Sequence, residues 1–129
     1  MNEFYILSLK WTKRSDNLLT FWGPNDNGYV FRLECAGRYS PEQIGSNPSY
    51  YDSGEHTLAI PCEAAEVLSV LVTNVVSKSL NPDWVKTDRV VEYRHLAALK
   101  LTHGARRKRD ATRKQWRAKV AALSQEMPR

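Results

Sequence analysis

Cysteine is scarce in this chain of 129 residues, and its two copies, Cys35 and Cys62, exclude a disulfide-built scaffold. They are expected as reduced thiols. No apolar run approaches the length of a membrane-spanning helix, and no segment repeats at a fixed period. The N-terminal stretch opens on Asn2 and Glu3 and lacks a basic region before its apolar residues, so it is read as part of the fold rather than as a signal peptide. A phosphate-cradling glycine loop, a nucleophile elbow and a paired-acid motif are all missing. These absences lead to the expectation of a non-enzymatic protein with no catalytic residues and no cofactor.

Acidic residues are also scarce, but only towards the C-terminus. Residues 1–84 hold six Lys/Arg against ten Asp/Glu, a balance of −4, whereas residues 85–129 hold thirteen against four, a balance of +9. The overall formal charge of +5 conceals this polarity. A basic segment beside a mildly acidic body points to a polyanionic partner: nucleic acid, an anionic membrane or an acidic protein. The membrane is the poorest fit, because the basic segment has few large apolar residues to insert.

The remaining composition, 42% hydrophobic and 26% charged, is that of a globular chain. Hydrophobic periodicity predicts strands at Phe4–Trp11, Leu18–Trp22, Tyr29–Cys35 and His56–Ile60. In the first, Tyr5 and Leu7 share one face while Phe4 and Ile6 take the other. The GPNDNG stretch at 23–28 is dense in turn formers. Ser40, Pro41 and Gln43 predict a short helix start with a capping box, and Ser49–Glu55 reads as a loop. A helix is expected over Pro61–Val72, with Ala64, Val67, Leu68, Leu71 and Val72 as its apolar stripe. Asp88 is expected to cap a helix from Arg89 to about Leu101, Gly104 to break it, and Ala105–Leu123 to form a last helix.

The fold expected is α+β: a small antiparallel sheet of three to four strands packed by the Pro61–Val72 helix, with a basic helical C-terminal extension. Residues 1–76 would form the body, 77–88 a connector and 89–129 the extension.

The candidate site lies in that extension. Arg106, Arg107, Lys108 and Arg109 are consecutive, and Arg113, Lys114, Arg117 and Lys119 follow. Guanidinium groups suit phosphates because their planar fork donates two parallel hydrogen bonds. Trp116 adds a ring on which an unpaired base can stack. The alternative for this helix is a solvated charged surface with Trp116 docked on the body. Tyr50 and Tyr51, between turn signals, are candidate partner-binding residues; core packing is the default for them, as for Trp22 and Trp84. Cys35, His56, Cys62, His95 and His103 show no metal-site spacing. A Cys62–His56 nucleophile pair is conceivable because Cys62 falls near a helix N-terminus, but a third group to orient it is lacking.

Two resemblances frame these residues. The run Ala105–Arg109, followed by Ala111 and by Gln115-Trp116-Arg117-Ala118, resembles the arginine-rich RNA-binding peptide of lambdoid phage antiterminator N proteins, although Asp110 interrupts the basic run. The likeness implies that Arg106, Arg107, Arg109, Arg113 and Lys114 contact phosphates and that Trp116 stacks on a loop base. The pieces Phe4–Lys10, Thr20–Trp22, Gly28-Tyr29, Ala36–Tyr39, Tyr50-Tyr51 and Ala59–Cys62 resemble a family of small phage and prophage proteins, which supplies context and no mechanism. The leading expectation is therefore an RNA- or DNA-binding phage accessory protein in the cytoplasm of a bacterial host. The alternative is an inhibitor of a host protein or defence complex, comparable to an anti-CRISPR, that binds through the aromatic loops with the basic tail assisting.

Overall fold

The computed structural model describes residues 3–73, 87–104 and 112–126. Its centre is β1 (Phe4–Ser8), in which all five residues are buried. β1 lies between β2 (Phe21–Trp22) and β4 (Thr57–Pro61), and β3 (Tyr29–Val30) completes an antiparallel sheet of order β3-β2-β1-β4. The α+β class with a small antiparallel sheet is thus as expected.

β1 is apolar on both sides because helices cover both faces of the sheet, which removes the polar-out alternation of a one-sided sheet. On one face Tyr5, Leu7, Phe21, Leu58 and Ile60 pack with Leu33, Val91, with Cys62 and Ala65 of α3 (Cys62–Leu68), and with Leu99 of α4 (Leu96–His103). On the other, Phe4, Ile6, Trp22 and Ala59 meet Tyr39, Ile44 of α1 (Pro41–Ser46) and Tyr51 of α2 (Pro48–Tyr51). Trp116 of α5 (Arg113–Glu126) closes that second core.

The start of α1 is as expected: Ser40 Oγ accepts from the Gln43 amide at 3.0 Å. Gln43 does not return the bond but donates from its side chain to the Tyr51 hydroxyl at 3.3 Å. Other expectations need correcting. The Tyr29–Cys35 strand stops at Val30, and Leu33–Cys35 forms a single 3-10 turn whose Leu33 enters the core. Within the expected loop Ser49–Glu55, Pro48 at the first helical position starts the short α2.

The largest correction concerns Pro61–Val72. The helix ends at Leu68, where the Ser69 hydroxyl donates to the Glu66 carbonyl at 2.7 Å. The β-branched run that follows becomes β5 (Val70–Thr73). β5 pairs antiparallel with β6 (Thr87–Val90), so Asp88 lies in a strand instead of capping a helix. Val67, placed on the apolar stripe, is 83% exposed.

Residues 87–91 also remove the expected domain boundary. Val90 and Val91 are fully buried, and the Leu19 amide donates to the Val91 carbonyl at 2.8 Å. The region assigned to an extension therefore begins inside the body. Gly104 does end α4, its amide donating to the Lys100 carbonyl at 2.9 Å.

Candidate nucleic-acid interface

Thr112 caps the start of α5: its hydroxyl accepts from the Gln115 amide at 3.2 Å and its carbonyl accepts from the Trp116 amide. One face of the helix is sunk into the body. The Trp116 indole N–H donates to the Pro41 carbonyl at 3.0 Å, and its ring meets Phe4 edge-on at 5.1 Å. Gly45 makes room for it: a Cβ at that position would stand 3.0 Å from Trp116 Cδ1. Val120 and Leu123 extend the contact.

Lys119 belongs to the same inward face. Its ammonium donates to both carboxylate oxygens of Asp52, at 2.9 and 3.0 Å, and to the Ala59 carbonyl at 2.8 Å. The two side chains are 3% and 8% exposed. A buried ion of either sign is costly unless paired and hydrogen-bonded, and this pair is both. Asp52 also accepts from the Ala59 amide at 2.9 Å, which ties the pair to β4.

Two expected site residues are therefore spent inside the fold. Trp116 is 5% exposed and cannot offer a ring face to a base, and the Lys119 charge is satisfied internally, away from any phosphate. Trp116 is docked on the body. Tyr51 is corrected in the same way: it is 7% exposed, and its hydroxyl donates to Asp26 Oδ2 at 3.0 Å. Tyr50, at 46% exposure, stays on the surface with its ring 5.0 Å from that of Trp22.

Arg113, Lys114 and Arg117 are exposed. At 100° per residue they share an arc of roughly 100° on the flank of α5, which adjoins Trp116 and Val120 at Arg113 and turns away from Lys119. The Arg113 guanidinium donates to the Ser46 carbonyl at 3.2 Å, which fixes one end of the arc beside α1. Among the described residues no carboxylate forms an ion pair with any of the three. Arg106, Arg107, Lys108 and Arg109 lie outside the described residues, as does Trp84.

The residues weighed for nucleophilic or metal chemistry are dispersed or inert. Cys62 is buried, and burial pushes its thiol up to about 12, which outweighs any effect of the helix start. His56 is exposed, whereas His103 is buried. Among the described residues no three of His, Cys, Asp and Glu converge as metal ligands, and no helix is long and apolar enough to cross a membrane.

Sequence reasoning missed one surface. Trp11 and Tyr29, both placed in predicted strands, are 44% and 55% exposed, with ring centroids 6.0 Å apart. Trp11 lies past the end of β1, in a turn where its amide donates to Ser8 Oγ at 3.1 Å. The polar residues Thr12–Asn17 that follow were the available sign that the strand had already ended.

No family model matches the chain, and neither does any curated protein or solved structure.

Proposed function

We propose that the protein binds nucleic acid, RNA by preference, through its basic C-terminal segment, as a non-enzymatic phage or prophage accessory protein in the host cytoplasm. The observation that carries this reading is the division of α5 into two faces. Trp116, Lys119, Val120 and Leu123 anchor it, and Arg113, Lys114 and Arg117 are left exposed, with no carboxylate partner among the described residues. In sequence these three follow four consecutive cations, Arg106–Arg109. Seven positive charges within twelve residues, three of them on a docked helix, suit a run of phosphates.

The test is the affinity of the full chain for labelled oligonucleotides as a function of salt. The logarithm of the binding constant should fall with log salt by about 0.7 per neutralised phosphate on a single strand. Arg113→Ala/Lys114→Ala/Arg117→Ala should weaken binding and lower that slope by about 2. A wild-type affinity indifferent to salt, or a triple variant that binds equally well, would sink the reading. Point substitutions are the proper tool, because removing α5 would uncover Phe4 and the second core.

A second reading, inhibition of a host protein or defence complex, is favoured by the exposed rings of Trp11, Tyr29 and Tyr50. It predicts a complex with a host protein that survives high salt.

A further inference from the structure

All the exposed aromatic rings among the described residues, Trp11, Tyr29 and Tyr50, gather at one edge of the sheet. Tyr29 lies on the edge strand β3, paired across to Trp22 of β2. Trp22 is buried and supports Tyr50 at 5.0 Å, and Trp11 stands 6.0 Å from Tyr29 on the other side. Tyr50 is backed further by Tyr51 at 4.9 Å. Tyr50 is thus held from behind by two buried rings, whereas Trp11 and Tyr29 lean on each other.

One cation stands against the row, and another is fixed on the segment that leads to Tyr50. The Lys10 ammonium lies 5.5 Å from the Trp11 ring. Arg113 reaches the Ser46 carbonyl at the end of α1, immediately before the short α2 that carries Tyr50. The carboxylate of Asp26 is engaged by the Tyr51 hydroxyl at 3.0 Å.

We infer that single-stranded nucleic acid stacks its bases on Trp11, Tyr29 and Tyr50, while its phosphates run between Lys10 and the basic face of α5. The inference rests on the nucleic-acid reading above and moves the stacking role from the buried Trp116 to the sheet edge. Flat rings flanked by cations are how single strands are held without sequence readout. A peptide adding itself as a strand fits less well, because β3 offers only two residues of backbone.

The experiment uses the full chain, a labelled oligouridylate single strand and an RNA duplex of equal length. Trp11→Ala, Tyr29→Ala and Tyr50→Ala should each weaken single-strand binding by about 5- to 150-fold. Tyr29→Phe, which keeps the ring, should bind as wild type. Duplex binding, which uses phosphates but offers no free bases, should be unchanged in all four. Thermal melts check that these half-exposed substitutions leave the fold intact. Single-strand affinity unchanged in the alanine variants, with the Arg113/Lys114/Arg117 variant impaired, would overturn stacking and leave the nucleic-acid reading standing. A wild-type chain that binds neither probe would overturn both. Alanine variants that release a purified protein partner but keep RNA affinity would assign the row to that partner and overturn the inference.

Discussion

Lys119 Nζ lies 2.9 Å from Asp52 Oδ2, with both side chains almost wholly enclosed, and this pair joins the last helix to the loop leading into β4. Removing one partner would leave the other charge buried beside Ala59 and Trp116. Lys119→Met is expected to destabilise the fold by about 3–5 kcal/mol. The double variant Lys119→Met/Asp52→Asn should recover part of that loss, because no ion then remains buried. Urea unfolding of the three proteins checks both statements. A Lys119→Met protein as stable as wild type would mean the pair is not closed in solution.

Trp116 should behave as a core residue. Trp116→Ala is expected to cost about 3–5 kcal/mol through the lost ring and the cavity beneath it. Gly45→Val should reproduce much of the effect from the other side, since a Cβ there already crowds Trp116 Cδ1 at 3.0 Å. The measurement is denaturant unfolding of each variant, alongside oligonucleotide affinity in water. An affinity loss with no stability loss would contradict the docked arrangement.

One phenol braces the GPNDNG turn beside its own backbone bonds, Gly23 N–H to the Gly28 carbonyl and Asn27 N–H to the Pro24 carbonyl. The Tyr39 hydroxyl donates to the Gly23 carbonyl at 2.6 Å and accepts from the Asp26 amide at 2.9 Å. Gly23 is required there, because a Cβ would collide with the Asn27 carbonyl oxygen. Tyr39→Phe leaves both backbone groups without this partner and should cost about 1–3 kcal/mol. Gly23→Ala should cost at least as much. Thermal or urea melts decide, and a silent Tyr39→Phe would show that the turn is held by other means.

Alkaline pH should destabilise the protein through its buried thiol and phenols. Burial pushes Cys62 up to about 12 from an ordinary value near 9, and Tyr39 up to about 12 from near 10. Tyr5 is raised in the same direction, mainly by burial and then by its hydrogen bond to Glu66. Each folded-state pKa lies above the unfolded one, so the unfolded chain loses these protons first. The stability linked to them is fully present below about pH 9 and is lost as pH rises towards 12, by about 1.4 kcal/mol per unit for each titrating group. Urea midpoints between pH 8 and 11.5 test this. Cys62→Ala should flatten the first part of the decline.

Much of the sheet was legible, because β1 and β4 are dense in aliphatic and aromatic residues and the two faces of β1 were divided correctly. The Ser40 cap and the break at Gly104 follow local rules that tertiary context did not override. What misled was a run of apolar residues that fits two periods. Ala64, Val67, Leu68, Leu71 and Val72 satisfy helical spacing, yet Val70–Thr73 is β-branched enough to pair with Thr87–Val90, a partner far along the chain. The basic segment misled for a different reason. A lysine among arginines looks solvated by composition, and nothing near Lys119 in sequence announces Asp52, 67 residues away. Charge predicted the character of the exposed face of α5, and geometry alone revealed that the other face is core.

The inward face of α5 has a further consequence. It is an interface within a single chain, formed by Trp116, Lys119, Val120 and Leu123 against residues from α1, β1 and β4. Supplied as a separate peptide spanning 112–126, that face could be titrated back onto a chain ending at Gly104. The docking free energy would then be read as a dissociation constant, and dividing that constant by the undocking equilibrium constant of the helix in the intact chain would give the effective concentration supplied by the covalent link. The last helix would then serve as a built-in ligand whose affinity can be tuned one residue at a time.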